Sequence, residues 1–431
     1  MSFAGGCLTH PANAAPARAY QRAELPAISS NRTTAVALAT KQRSGGALRR
    51  FYASRGYRGL WASSGSIGKQ AETLIGFLAS ADLDGLNPAS YKVDRLRHAV
   101  QQAQSGDPEL VAEAELALST AFARYVRDQR RSKVRMTYAD PALKPKKPRP
   151  ETVLRAAAFP KSFVGYIADM GWMSPQYVRL RTLMAQAQRQ GMTARALARL
   201  RLNLDRARLL PGPWTHHIVV DASSGRLWYY EAGRQAGTMR VVVGTKETPT
   251  PMLAGTLQWA IVNPYWNVPT YLARNRIAPK ILAGRSLASL KMEALSDWSE
   301  TPRKLEPSSV DWSAVASGTQ EIRLRELPGP SNSMGRVKFL FPNDEGIYLH
   351  DTPDRDLLKK TDRHFSNGCI RLENAAELAR WLLQKPLRTT SKQPEQAVPL
   401  PVQVPVYLIY LTAAATDGGV AFREDVYGWD Q

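Results

Sequence analysis

The sequence predicts an α+β chain of more than one domain: an all-α half, then a mainly-β half of sandwich or barrel type that carries a helical insertion. Three observations predict it. Apolar residues recur with a helical period from about residue 45 to 210. The period changes to two after Pro213. Pro-containing, helix-like pieces then interrupt the strands between about 264 and 320. A chain of 431 residues is long enough for two or three cores.

Residues 1–45 read as a residual signal and a tether. Ala14, Ala15 and Ala17 have the small side chains of a secretory cleavage site, and the expected signal starts upstream of Met1. Cys7 follows Ala4-Gly5-Gly6 as in a lipoprotein acylation site. Its third preceding residue is Ala rather than Leu, however, and it reads as an incidental cysteine of a removed segment.

Residues 46–213 read as a helical domain. Ala71, Leu74, Ile75, Leu78 and Ala79 lie on one helical face, and Leu118, Phe122 and Tyr125 on another. Pro145, Pro148 and Pro150 break a Lys-rich loop. Helices are predicted over 162–170, 177–188 and 194–209, the last stopped by Pro211, Gly212 and Pro213.

Residues 214–412 read as the β domain. Strand patterns cover 217–221, 226–231, 238–243, 256–262, 321–325, 337–341 and 347–350, with a hairpin loop at Ala232-Gly233. Asn374 is the expected N-cap of a helix over 375–383. Residues 406–411 and 420–426 read as a closing hairpin around Asp417-Gly418-Gly419, which leaves 413–431 as the hairpin end and tail. An insertion as long as 264–320 reads as a functional lid.

Composition excludes several classes. The net charge of +21 favours an anionic partner or a basic solvated surface. Its cations are dispersed, and no nucleic-acid-binding motif is present. No apolar run reaches the eighteen or so residues of a membrane span. Two cysteines, Cys7 and Cys369, build no disulfide framework. No Cys-x-x-Cys or His-Glu-x-x-His marks a metal site, and neither metal nor cofactor is expected. Ten Trp and sixteen Tyr supply rings for clefts as well as for cores.

Chemistry concentrates in His350-Asp351-Thr352-Pro353 and in His364-Phe365-Ser366-Asn367-Gly368-Cys369-Ile370-Arg371-Leu372. A cysteine nucleophile needs a base to hold it as thiolate, and imidazole is the usual one. Gly368 lets the main chain turn tightly beside Cys369. By the period of two, Tyr348 shares a strand face with His350, whereas Asp351 points away. Asp351 is therefore a poor third member of a triad, and a backbone carbonyl is the alternative. His364 reads as a solvated loop residue, and His216 and His217 as a strand entrance.

The whole pattern resembles the L,D-transpeptidase family with its YkuD-type catalytic domain. In that family a His precedes a Ser-His/Asn-Gly-Cys-(Ile/Val)-Arg signature. Residues 262–269, 325–330, Asn332, Gly335, 337–339 and 347–353 are similar to the large Gram-negative branch, which has a helical scaffold domain. Gly56-Tyr57-Arg58 with Leu60-Trp61 resembles that scaffold, so the likeness covers about residues 45 to 412.

The resemblance implies periplasmic peptidoglycan cross-linking between third-position diamino acids. Cys369 would be the nucleophile and His350 the base. Gly368 and Tyr348 would shape the oxyanion site and its loop. Arg371, Ser366, Asn367, Trp266 and Tyr271 would contact tetrapeptide stems, donor and acceptor. For Arg371 an internal ion pair, for Tyr348, Trp266 and Tyr271 core packing, and for Ser366 loop bracing are the alternatives. Acylation by carbapenems is implied as well.

Two departures stand out. Asn367 replaces the commonest His and cannot serve as a base. Gln188 leads almost directly to the helix at Ala194, leaving no room for the peptidoglycan-binding module of many relatives. The rival readings are an L,D-carboxypeptidase or endopeptidase on the same site, and a non-catalytic wall scaffold whose helical half holds cell-wall synthesis partners.

Overall fold

A computed structural model describes residues 27–387, 393–416 and 419–431. Cys7, the alanines of the expected cleavage site, and Asp417 and Gly418 of the predicted turn lie outside them.

Helices fill the first half. The longest, Pro108–Gln129, starts at Asp107, whose carboxylate accepts the Glu109 and Leu110 amides. Around it pack Gly46–Ala53, Gln70–Ala79, Val93–Ala103 and Pro150–Ala158. The expected tether is in part a further helix, Ala27–Arg43. It buries Val36 with Ala103, Val111 and Ala114, and Arg43 Nε meets Glu109 at 2.6 Å. Its apolar positions are few and small, which is why the pattern read as polar.

Glu115 organises this half. It is fully buried, and it accepts the Tyr52 hydroxyl at 2.6 Å and the Leu60, Trp61 and Ala62 amides at 2.6, 3.0 and 2.7 Å. Burial pushes its carboxyl up, while these donors pull it down.

After Pro213 eight strands of a ten-stranded sheet close into a ring, because Val337–Leu340 pairs with both Leu349–His350 and Leu253–Val262. Closure leaves no free edge there. Along His217–Asp221, Ile218 and Val220 face the core shared with helix Ala375–Leu383, whereas Val219 faces the core of the helical half. Alternation therefore buries both faces of this strand and joins the halves through one apolar interface. A short strand of the helical half, Thr137–Tyr138, adds a main-chain seam by pairing in parallel with Leu253–Val262.

Two expectations change. Residues 406–411 do not form a hairpin arm: 406–409 end the strand Gln396–Ile409, which runs between His217–Asp221 and Leu253–Val262, and 410–411 follow it. The hairpin is Ala413–Thr416 with Gly419–Phe422. The insertion, besides its short helices, contains a four-stranded sheet of Lys304–Leu305, Met292–Leu295, Arg323–Glu326 and Trp266–Val268. It has its own small core, including Val268, Leu272, Ala294, Trp312 and Leu324.

Candidate active site

Strand Leu349–His350 pairs in parallel with Ile370–Leu372, placing Leu349 opposite Ile370 and His350 opposite Arg371. Parallel neighbours need a long crossover, and residues 351–369 are that crossover. Register, not proximity in sequence, brings Cys369 level with Tyr348. The Ile370 amide donates to the Tyr348 carbonyl at 2.9 Å.

His350 is 3% exposed. Its Nδ1 lies 2.6 Å from the carbonyl oxygen of Asp351. A proton on Nδ1 makes this a hydrogen bond and leaves Nε2 as the basic nitrogen. The Asp351 carboxylate is engaged elsewhere, by the Arg336 amide at 3.0 Å and Arg355 at 2.6 Å. Lys338 faces His350 from the other neighbouring strand and is held by Glu395 at 2.9 Å. Burial lowers the imidazole to about 4, helped by Arg371 and Lys338 and opposed by the Asp351 carbonyl and carboxylate.

The sulfur of Cys369 sits 3.5 Å from the Gly346 carbonyl, and among the described residues no hydrogen bond joins it to His350. Burial pushes the thiol up to about 11, against the Tyr348 main chain and the charge of Arg371. Burial therefore opposes both the thiolate and the charged imidazole.

The loop before Cys369 is tightly braced. Ser366 is buried, its hydroxyl donating to the Cys369 carbonyl at 2.6 Å and accepting the Gly368 amide at 3.2 Å. Thr250 donates to the Gly368 carbonyl at 2.7 Å. Of the two roles open to Ser366, loop bracing is the one these bonds fill. The Gly368 amide is likewise occupied and does not point to an oxyanion. Gly368 has φ +103°, where a Cβ would stand 3.1 Å from Ile347, so only glycine fits without strain. The Cys369 amide has no partner among the described residues.

Asn367 is exposed at the loop tip. Arg371 makes a loose contact with the exposed Asp354, 3.4 Å, so an ion pair exists but leaves most of the guanidinium unengaged. Tyr348 is half-buried; burial and the nearby Cys369 and Glu395 raise its hydroxyl. Tyr271 reaches in from the lid, 42% exposed and electrostatically coupled to Arg276 and Cys369. Trp266 instead packs on the lid core, opposite Glu326 in the lid sheet. His364 is not a solvated residue: it lies on strand His364–Ser366, binds Asp362 at 2.6 Å and meets the Tyr427 ring edge-on.

Sequence reasoning missed Lys338, Glu395 and Thr250. A lysine inside a buried strand such as Val337–Leu340 was the available signal. Among the described residues no cluster of His, Cys, Asp or Glu is suited to a metal, and no helix is long and apolar enough to cross a membrane.

Residues 46–184 match the family described as Scaffold domain, and residues 215–404 match the L,D-transpeptidase catalytic domain, YkuD. A Haemophilus influenzae protein provisionally named an L,D-transpeptidase is 26% identical over 396 residues, 89% of this chain and 78% of that one. A solved L,D-transpeptidase from Mycobacterium smegmatis is 14% identical, with TM-score 0.22, over 45% of this chain and 58% of that one. An Enterococcus faecium L,D-transpeptidase mutant is 16% identical, with TM-score 0.20, over 47% and 51%. The chain thus spans just over half the length of these solved proteins.

Proposed function

Since the chain belongs to the L,D-transpeptidase family, joining a scaffold domain to a YkuD-type catalytic domain, we propose that it cross-links peptidoglycan stems in the periplasm, with Cys369 as nucleophile and His350 as base. The observation that carries this reading is the parallel register that sets Cys369 beside Tyr348, two residues from an imidazole whose Nδ1 is already engaged.

The donor is a tetrapeptide stem. As Sγ attacks the carbonyl of the third-position diamino acid, its proton passes to His350 Nε2. Buried, neutral groups suit this concerted transfer, since no charge stands unsolvated beforehand. Substrate entry must first shorten the approach of Sγ to Nε2, as apo geometries commonly require. The Cys369 amide and the Tyr348 hydroxyl are the free donors for the developing oxyanion, and Arg371 and Lys338 add positive field. The C–N bond breaks, His350 protonates the departing D-Ala amine, and a thioester remains. The side-chain amine of a second stem then attacks, giving its proton to His350. That proton returns to sulfur as the C–S bond breaks.

The lid, with Tyr271 facing Cys369, would order the acceptor and exclude water. Incubating the chain with disaccharide-tetrapeptides and analysing products by mass spectrometry tests the proposal. Cross-linked dimer and released D-Ala are expected from the native chain and not from Cys369→Ala. Equal product from both proteins sinks the assignment. A carbapenem should add its mass to Cys369 alone.

A further inference from the structure

A second cleft, of about 980 Å³, opens away from Cys369 where the helical half meets the sheet domain. Its wall is aromatic. Phe159, at the end of helix Pro150–Ala158, is 81% exposed, and Trp214 is 38% exposed. Their rings meet edge-on at 6.3 Å, and Trp214 continues to Tyr166 at 6.5 Å. Gly233, at the tip of the hairpin between Arg226–Glu231 and Arg234–Gly244, lies flat on Trp214. A Cβ there would come within 2.6 Å of the indole. Trp214 is therefore held in place, whereas a Phe side chain exposed to this degree does little for the fold.

Polar groups rim the rings. Lys161, Asp169, Arg179 and Gln235 line the cleft, and among the described residues the three charged ones hold no ion pair. At its floor the Tyr230 hydroxyl accepts from Gln176 Nε2 at 3.0 Å, and the other amide atom, Oε1, is buried without a hydrogen-bond partner. Contiguous exposed rings on a protein surface mark a binding site. Stepped rings with unpaired charges of both signs and the Gln235 amide suit a ligand with apolar faces and many hydroxyl and acetamide groups. They suit a fatty chain or a polyanion poorly.

We propose that this cleft binds the glycan strand of peptidoglycan, pyranose faces stacking on Phe159 and Trp214. The inference rests on the function proposed above, because the stems that Cys369 would process hang from such a strand. A grip on the strand raises the local concentration of stems without touching the chemistry.

The test uses the full chain and glycan strands freed of their stem peptides, with binding followed by calorimetry. Saturable binding is expected, weakened at least tenfold by Phe159→Ser and by Phe159→Ala. Acylation of Cys369 by a carbapenem and turnover of soluble disaccharide-tetrapeptide should be unchanged in both variants. No binding by the native chain, or equal binding by the Phe159 variants, overturns the proposal. So does a Phe159-dependent self-association with no response to glycan. Because soluble-substrate turnover is read separately, loss of glycan binding and failure of the transpeptidase reading give different results.

Discussion

His350 is oriented by its own successor: the carbonyl oxygen of Asp351 lies 2.6 Å from Nδ1, while the Asp351 carboxylate turns away to Arg336 and Arg355. Orientation of the ring thus depends on the main chain and needs no acid. Asp351→Asn should reduce kcat/KM less than tenfold, with a loss of stability of about 1–3 kcal/mol from the broken ion pair and amide contact. In triads where an Asp holds the histidine, the same change costs about 10⁴ in kcat. A loss of that size, measured on soluble tetrapeptide, would show that the carboxylate acts on the ring.

Burial disfavours the charged form of both Cys369 and His350, and a pH dependence follows from it. Alkylation of Cys369 by iodoacetamide should climb toward pH 11, and the acid limb of kcat/KM should fall near pH 4 instead of 6.5. An alkylation midpoint at or below the free-cysteine value of about 8.5 would reveal a resting thiolate.

Stability should follow the same histidines. His350 and His217 are both lowered to about 4 in the fold, chiefly by burial. Between pH 6.5 and 4 the unfolded chain binds these protons and the folded one does not. Stability is therefore fully present above 6.5 and falls as pH drops, by about 1.4 kcal/mol per pH unit for each histidine. Urea titrations at pH 7 and pH 5 read this directly. Replacing His217 by Gln should flatten the slope by about half, and an unchanged slope would assign it to other groups.

On the proposed function, the lid would separate transfer from hydrolysis. Trp266–Val268 and Arg323–Glu326 pair directly with each other, so residues 270–318 can be replaced by a short Gly-Ser turn that leaves a hairpin behind. The variant should still form the thioester but release tripeptide in place of cross-linked dimer, because water meets an unshielded acyl-enzyme. A wild-type ratio of dimer to tripeptide from the folded variant would exclude this segment as the gate.

Glu115→Gln tests the scaffold. One of its two acceptor oxygens becomes an amide donor facing the Leu60–Ala62 amides, which should cost about 2–4 kcal/mol by denaturant unfolding. A change below about 0.5 kcal/mol would mean that packing alone holds the turn before Trp61.

Sequence by itself determined the helical and strand halves, the insertion, and the motif that holds both His350 and Cys369. Period and signature are local properties that survive without knowledge of neighbours. Only the tertiary structure decided what lies across a strand. It brought Lys338 and Arg371 to either side of His350, engaged the Ser366 hydroxyl within its loop, and placed residues 406–409 in a central strand where a hairpin arm was expected. It also set the burial that opposes charge on the thiol and the imidazole. Charge state depends on desolvation by residues far apart in the chain, and no spacing along the sequence records how much water a fold removes.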